Sequence, residues 1–94
     1  MRVIGEKTLE RFCGTHADLR GPADDWLDIV RSSMWRKPHE LKNSFPSVSL
    51  LAGSLVVFNL KGNRYRLLAK LDYEKERVRI RKVGTHAEYS KWKL

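Results

Sequence analysis

The apolar residues in the second half of the chain follow an alternating pattern that predicts two neighbouring β-strands. Over residues 64–71 every second residue is apolar: Tyr65, Leu67, Ala69 and Leu71. Over residues 77–83, Val78 and Ile80 alternate with arginines until Lys82 interrupts the series. Alternation of this kind is typical of strands that bury one face. The interruption indicates a β-bulge or a strand end near Lys82.

Except at Leu68, cations occupy the positions between those apolar residues, so the opposite face of the strand pair is predicted to be basic. Its members are Arg64, Arg66, Lys70, Arg77, Arg79 and Arg81. If residues 72–75 form the connecting loop, Arg66 lies opposite Arg81. Like charges directly opposite each other destabilise a sheet, so this pair indicates an anion held between the two arginines. The alternative is a solvated basic edge that binds nothing.

A short helix is predicted directly after the second strand. Thr85 and Glu88 have the spacing of a capping box, in which each side chain bonds the backbone N–H of the other residue. His86 then lies in the first turn, and Tyr89 lies three residues further on, over the same face. The start of a helix favours a phosphate. A lone histidine is more often structural, but the neighbouring arginines make His86 a candidate for proton transfer.

The first half of the chain is predicted to cover one face of the sheet with two helices. A short strand at Val3-Ile4 precedes a helix over residues 6–16. The Arg20-Gly21-Pro22 corner ends that helix, Pro22 suits the first turn of the second helix, and Pro38 limits the second helix. Its apolar stripe, predicted to be core, contains Ala23, Trp26, Leu27, Val30 and Met34.

An apolar central strand over residues 55–58 precedes the two basic strands. The predicted fold class is therefore α+β. A small antiparallel sheet carries two N-terminal helices packed on one face, in the order β-α-α-β-β-β-α. The other face is left free to bind a ligand. Residues 1–94 are predicted to form a single domain. His16 and His39 are predicted to lie at the surface.

Charge is distributed unevenly along the chain. The net charge is +8. Residues 1–47 contain eight Lys/Arg and seven Asp/Glu, which gives +1, whereas residues 48–94 contain eleven and four, which gives +7. This asymmetry favours an acidic partner for the second half, either nucleic acid or an acidic protein. Cys13 is the only cysteine, so no internal disulfide can form. A reducing cytoplasm is therefore expected, with no secretion signal and no membrane span.

The chemistry that the sequence lacks narrows the function further. There is no glycine-rich nucleotide loop, no His-Glu-x-x-His, no Cys-x-x-Cys and no serine nucleophile elbow. Acidic clusters of the kind that a magnesium-dependent nuclease needs are also missing, so neither metal nor cofactor is expected. RNA brings its own nucleophile, the 2′-OH. A small basic protein can cleave RNA by bending the strand, clamping the phosphate and moving protons.

Two segments resemble a known family. Residues 57–67, which include Lys61-Gly62-Asn63-Arg64-Tyr65-Arg66, and residues 83–89, which include Thr85-His86-Ala87-Glu88-Tyr89, closely resemble the HigB family of bacterial toxins. These toxins belong to the RelE-like superfamily of type II toxin–antitoxin systems. The resemblance extends over almost the whole chain, including the tryptophan-bearing second helix and Phe45-Pro46-Ser47.

The resemblance implies a RelE-like fold and an mRNA interferase that cuts messages on the ribosome. A helix-turn-helix, HigA-like antitoxin encoded beside it would hold it inactive. The implied reaction is attack of the 2′-OH on the adjacent phosphate, which leaves a 2′,3′-cyclic phosphate and a 5′-OH. Arg66 matches the superfamily's phosphate-binding arginine. His86 lies where some relatives place a catalytic arginine, and Tyr89 lies near a tyrosine that stacks on a base.

The candidate residues form two groups. The catalytic candidates are His86, Arg66, Tyr89, Lys61 and Arg81. The RNA-binding candidates are Asn59, Asn63, Arg64, Arg77, Arg79 and Lys82. Two other functions remain open from the sequence: a protein that blocks the ribosome without cutting RNA, and a ParE-like toxin that acts on DNA gyrase.

Overall fold

The computed structural model describes residues 1–94 and contains one five-stranded sheet, in the order β1-β5-β4-β3-β2. The strands are β1 (Arg2–Ile4), β2 (Ser49–Leu50), β3 (Leu55–Leu60), β4 (Tyr65–Asp72) and β5 (Arg77–Thr85). The helices are α1 (Glu6–Thr15), α2 (Arg20–Ser32), α3 (Pro38–Ser44) and α4 (His86–Tyr89), with 3-10 turns at Ala17–Leu19 and Ala52–Ser54. The α+β class is confirmed.

The sheet is mixed rather than wholly antiparallel. β2, β3, β4 and β5 pair antiparallel to their neighbours, whereas β1 runs parallel to β5, with Val3 opposite Val78. The N-terminal ammonium holds the chain end beside this edge by donating to the carbonyl oxygen of Ser33 at 2.5 Å and to that of Val30 at 3.2 Å.

The hydrophobic core lies between one face of the sheet and the N-terminal helices. The predicted inward residues Tyr65, Leu67, Ala69, Leu71, Val78 and Ile80 are all buried. Aromatic rings join the helices to β3: Trp26 meets Phe58 edge-on at 5.2 Å between ring centroids, and Phe45 meets Phe58 at 5.0 Å. Edge-to-face contacts of this kind stabilise a core beyond the area they bury.

Several details of the first half were predicted incorrectly. Met34 is 54% exposed rather than core. The helical turns end at Ser32, and Ser33 is extended (φ −99°, ψ 156°), so residue 34 no longer follows the helical periodicity. Pro38 does not merely limit α2, because it begins the additional helix α3, where a proline is tolerated in the first turn. The Arg20-Gly21-Pro22 corner is itself the first turn of α2.

The register of β4 with β5 also differs from the prediction. Leu68 pairs with Lys82 but Ala69 pairs with Ile80, so Arg81 is the extra residue of a bulge. The connection between the strands is also residues 73–76 rather than 72–75. Together these differences place Arg66 opposite Gly84, and the predicted pairing of Arg66 with Arg81 is wrong. The predicted irregularity near Lys82 is confirmed.

The outer face of the sheet is only partly free. Val57 and Leu68 belong to this face, yet they are 1% and 5% exposed. The side chains of Lys93 and Leu94 line one depression together with Leu68, so the C-terminal segment lies against the sheet here. The face predicted to be free is therefore covered in part by the C-terminal segment.

Candidate active site

A row of three residues crosses the outer face where β3, β4 and β5 are paired. Asn59 lies opposite Arg66 on one side, and Gly84 lies opposite Arg66 on the other. The Asn59 amide donates to the carbonyl oxygen of Ser47 at 3.3 Å. Because Gly84 has no side chain, the central arginine has no cross-strand neighbour on β5.

Arg66 is the only charged side chain of the protein that is buried, at 9% exposure. Its Nη1 donates to the carbonyl oxygen of Asn63 at 2.8 Å, and its Cζ lies 5.2 Å from the centroid of the Tyr89 ring. No carboxylate lies within 4.0 Å of it, because the ion pairs of the molecule all involve other residues. The guanidinium is therefore held in place, largely out of water, with an uncompensated charge.

The helix α4 begins where β5 ends, and the predicted capping box is present. The Glu88 N–H donates to the Thr85 hydroxyl at 3.1 Å, and the Thr85 N–H donates to the Glu88 carboxylate at 2.9 Å. The Thr85 N–H holds the pKa of Glu88 below its usual range. The His86 N–H donates to the carbonyl oxygen of Arg64 at 3.0 Å, so α4 is joined to the loop before β4.

These bonds change how α4 contributes to the site. The N–H groups of His86 and Glu88 already have partners within the protein, so these two groups are not free to bind a phosphate. The side chain of His86 is exposed, and the Tyr89 ring is half-buried beside Arg66. The helix α4 contributes to the site by positioning these two side chains.

Asp18 lies at the centre of a polar cluster that the sequence did not predict. Its carboxylate accepts from Lys61 Nζ at 3.0 Å, from Arg64 Nη1 at 3.1 Å and from the Tyr65 hydroxyl at 2.5 Å. The Tyr65 hydroxyl and then the Lys61 ammonium hold the pKa of Asp18 far below its usual range, and Asp18 in turn raises that of Tyr65. The ring of His16 lies edge-on to the Tyr65 ring at 5.7 Å.

The candidate residues near Asp18 fall into two groups that have different bonding partners. Lys61 and Arg64 are directed to Asp18, whereas Arg66 is directed to Asn63 and Tyr89. Lys61, Asn63 and Arg64 belong to the short connection between β3 and β4, and Arg66 is the second residue of β4. Lys61 has φ +51°, a left-handed conformation that is uncommon for a residue other than glycine, and its bond to Asp18 helps to fix it.

The remaining cations lie further along the sheet. Lys70 pairs with Arg79 in the β4–β5 register, and Asp72 pairs with Arg77. Together with Arg81 these residues line an open depression of about 540 Å³. None of the four cations has a carboxylate within 4.0 Å. Lys70 is about 13 Å from Arg66 along β4, at roughly 3.3 Å per residue, so the depression extends the basic surface away from Arg66.

Trp92 is a second residue of this region that the sequence analysis missed. It lies over Gly84, and its ring is 5.5 Å from that of Tyr89, with Lys82 Nζ at 5.7 Å from the Trp92 ring. One sequence feature could have identified Trp92 as a candidate: aromatic residues and lysines alternate in Tyr89-Ser90-Lys91-Trp92-Lys93.

The structure contains neither a cluster of metal-binding side chains nor a helix suited to a membrane. No three histidine, cysteine or carboxylate side chains lie close enough together to hold a metal ion. None of the helices has the length and apolar character that crossing a membrane requires.

The chain is similar to proteins of one family. Residues 19–92 match the family described as HigB toxin, RelE-like toxic component of a toxin–antitoxin system. The chain is 36% identical over 91 residues to the mRNA interferase toxin HigB of Escherichia coli K12, which covers 95% of this chain and 88% of the relative. Proteins named mRNA interferase HigB from Escherichia coli O157:H7 and Shigella flexneri match to the same extent. The chain therefore belongs to the HigB toxin family, the RelE-like toxic components of toxin–antitoxin systems.

Proposed function

We propose that this protein is an endoribonuclease, an mRNA interferase that serves as the toxin of a toxin–antitoxin pair. Its relatives at 36% identity bear the name mRNA interferase. The structural observation that carries the proposal is the state of Arg66, a buried guanidinium without a carboxylate partner.

A buried charge without a partner is unusual. Arginine is almost never buried unless its charge is compensated, because removing an ion from water is costly. The fork of a guanidinium matches two oxygens of a phosphate, and such charge-assisted bonds are among the strongest in proteins. A phosphodiester of RNA would supply the missing negative charge of Arg66.

The proposed reaction uses the RNA's own nucleophile. The 2′-oxygen attacks the adjacent phosphorus and loses its proton, the bond from phosphorus to the 5′-oxygen breaks, and the 5′-oxygen takes up a proton. The products are a 2′,3′-cyclic phosphate and a 5′-OH. Arg66 stabilises the charge that develops on the phosphate oxygens. His86, which is exposed to an incoming strand, donates the proton to the leaving 5′-oxygen.

The other candidates have supporting roles in this proposal. Tyr89 stacks on a base while it holds the Arg66 guanidinium. The Lys61 ammonium and Arg64 donate to Asp18, so we assign them to fixing the loop and to attracting RNA. Contacts to the RNA backbone are assigned to Asn59, Asn63, Arg77, Arg79, Arg81 and Lys82.

The proposed substrate is mRNA on the ribosome, in the cytoplasm. The proposed inhibitor is a HigA-like helix-turn-helix antitoxin with an acidic segment, since membership of the family implies a cognate antitoxin. Expression of the toxin alone should arrest growth, and co-expression of the adjacent gene should restore it. Normal growth with abundant folded toxin would contradict the proposal.

Single-turnover cleavage of the message on a programmed ribosome, at saturating toxin, tests the proposed function. We expect end-labelled message to be cut at discrete sites by the wild type, and the rate to fall by on the order of 10²–10³ in Arg66→Ala, the usual cost of one such donor. Arg11→Ala is the matched control, because Arg11 is an exposed arginine of α1. Blocked translation with intact message would instead indicate an inhibitor that does not cut.

A further inference from the structure

Trp92 differs from the other two tryptophans of the chain. Trp26 and Trp35 are 1% and 3% exposed and belong to the core. Trp92 follows α4, is partly exposed, and lies on the outer face of the sheet, where a Cβ on Gly84 would be 2.7 Å from its Cζ2.

The contact with Trp92 explains the glycine at position 84. Gly84 does not have a positive φ, so its backbone conformation does not require glycine. Glycine within a strand weakens the strand and often marks a site where another group approaches closely. Here the nearest group is the indole of Trp92, and the Cβ of Glu88 lies 3.2 Å from the position that a Cβ on Gly84 would take, so a larger residue would displace the indole and press on α4.

The indole lies within a series of alternating cations and rings. Arg66 lies against the Tyr89 ring, the Tyr89 ring meets the Trp92 ring edge-on, and Lys82 lies over the Trp92 ring at 5.7 Å. Stacking platforms combined with backbone-binding cations are how proteins hold single-stranded RNA. Trp92 adds a second ring to the one that the proposed function uses.

We propose that Trp92 forms a nucleobase-binding site beside the phosphate site of Arg66. One base of the message stacks on the indole, and Lys82 binds the phosphate attached to that nucleotide. The proposal rests on the proposed function, because it assigns a second nucleotide of the same substrate. Stacking is tolerant of sequence, since every base has a π-face, so this site holds the strand in place without selecting a codon.

A purely structural role for Trp92 makes a different prediction. In such a role the indole would only cover the outer face of the sheet at Gly84. In that case an apolar replacement of Trp92 would alter stability, and the presence or absence of any one base in the message would not change the effect of the replacement. The following experiment uses messages that lack one base to separate the two roles.

The test compares Trp92→Leu with Trp92→Phe in single-turnover cleavage on programmed ribosomes. Each enzyme is given the intact message and a series of messages with one abasic nucleotide near the cut. We expect Trp92→Leu to lose roughly tenfold or more in kcat/KM on the intact message, the scale of base–aromatic stacking, and Trp92→Phe to keep most of the wild-type rate. One abasic position should remove the difference between wild type and Trp92→Leu.

Equal rates for Trp92→Leu and wild type, or a difference that persists at every abasic position, would overturn the stacking site. Lys91→Gln is the matched control for the same segment and should leave kcat/KM unchanged. Gly84→Ala, which displaces the indole without removing it, should show the same loss, and adding Trp92→Leu to it should cost nothing more. If Trp92→Leu does not fold, Gly84→Ala is compared with the wild type on the same messages instead. A wild-type protein that leaves every message intact would overturn the proposed function itself.

Discussion

Arg66 and His86 differ in a way that suits two separate tasks. Arg66 is buried and fixed by Asn63 and Tyr89, as a phosphate clamp should be, whereas His86 is exposed and its side chain is unconstrained. Replacing His86 by glutamine keeps a polar group of similar reach but removes the titratable proton. We expect His86→Gln to bind ribosomes normally and to cleave on the order of 10²–10⁴ more slowly, the usual contribution of an acid–base group.

Single-turnover cleavage at saturating toxin measures this effect without interference from binding. Tyr89→Phe, which keeps the ring, should retain part of the activity. Near-normal cleavage by His86→Gln would show that His86 is not the general acid, and that another group of the site protonates the leaving 5′-oxygen.

Asp18 gives a prediction about pH. The pKa of Asp18 is lowered by the Tyr65 hydroxyl, by Lys61 and by Arg64 from an ordinary 3.8. A carboxyl group whose pKa is lower in the folded state stabilises the fold above its unfolded pKa, and this stabilisation is lost as the pH falls towards the folded pKa. We therefore expect Asp18→Asn to be less stable than wild type at pH 7, with the difference shrinking below about pH 4.

Denaturant unfolding at a series of pH values measures that difference. Asp25→Asn, which removes an exposed carboxylate without a partner on α2, is the control and should track the wild type. A pH-independent difference for Asp18→Asn would show that its charge does not act in the cluster.

At the scale of elements, α4 is the part of the site that the sequence predicted best. The Thr85–Glu88 capping box is a local signal, because both partners lie within one turn. Loss of an N-cap hydroxyl typically costs about 1 kcal/mol. We expect Thr85→Ala to lose about that much stability and to cleave on the order of tenfold to 10²-fold more slowly, since small displacements of catalytic groups are costly.

Urea unfolding and single-turnover cleavage together test this prediction. Thr85→Ser keeps the hydroxyl and should resemble the wild type in both. Unchanged cleavage by Thr85→Ala, despite the loss of stability, would show that the cap does not position His86 and Tyr89.

Features that depend on distant partners could not be predicted in this way. The alternation of β4 and β5 correctly identified their buried residues. The connection at residues 73–76 shifted the register by two residues and the bulge at Arg81 shifted it by one more, so Arg66 faces Gly84 instead of Arg81. Nothing near Asp18 in the chain indicates that its partners are 43 to 47 residues away. The three residues of β1 likewise do not encode their parallel pairing with β5.

At the scale of the whole molecule, charge is segregated in the structure as it is in the sequence. Lys70, Arg77, Arg79 and Arg81 line one depression on the outer face, and none of them has a carboxylate within 4.0 Å. Two carboxylates, Asp72 and Glu74, line the same depression, so the four cations leave it with a net positive charge. Such a field attracts a polyanion. The proposed function therefore requires that this outer face, and not the helical face, contact the ribosome and message.

Salt dependence of ribosome binding tests that orientation. Each lysine or arginine that contacts a phosphate releases counterions and contributes roughly 0.7–0.9 to the slope of log K against log salt. Replacing Arg77 and Arg79 together by glutamine should therefore lower the slope by about 1.4–1.8. Both residues lie about four or more positions along the sheet from Arg66, so cleavage at saturating toxin should remain. Lys7 and Arg11, two exposed cations of α1, form the matched control pair. If the control pair lowers the slope and the Arg77 and Arg79 pair does not, the helical face is the one that meets the ribosome.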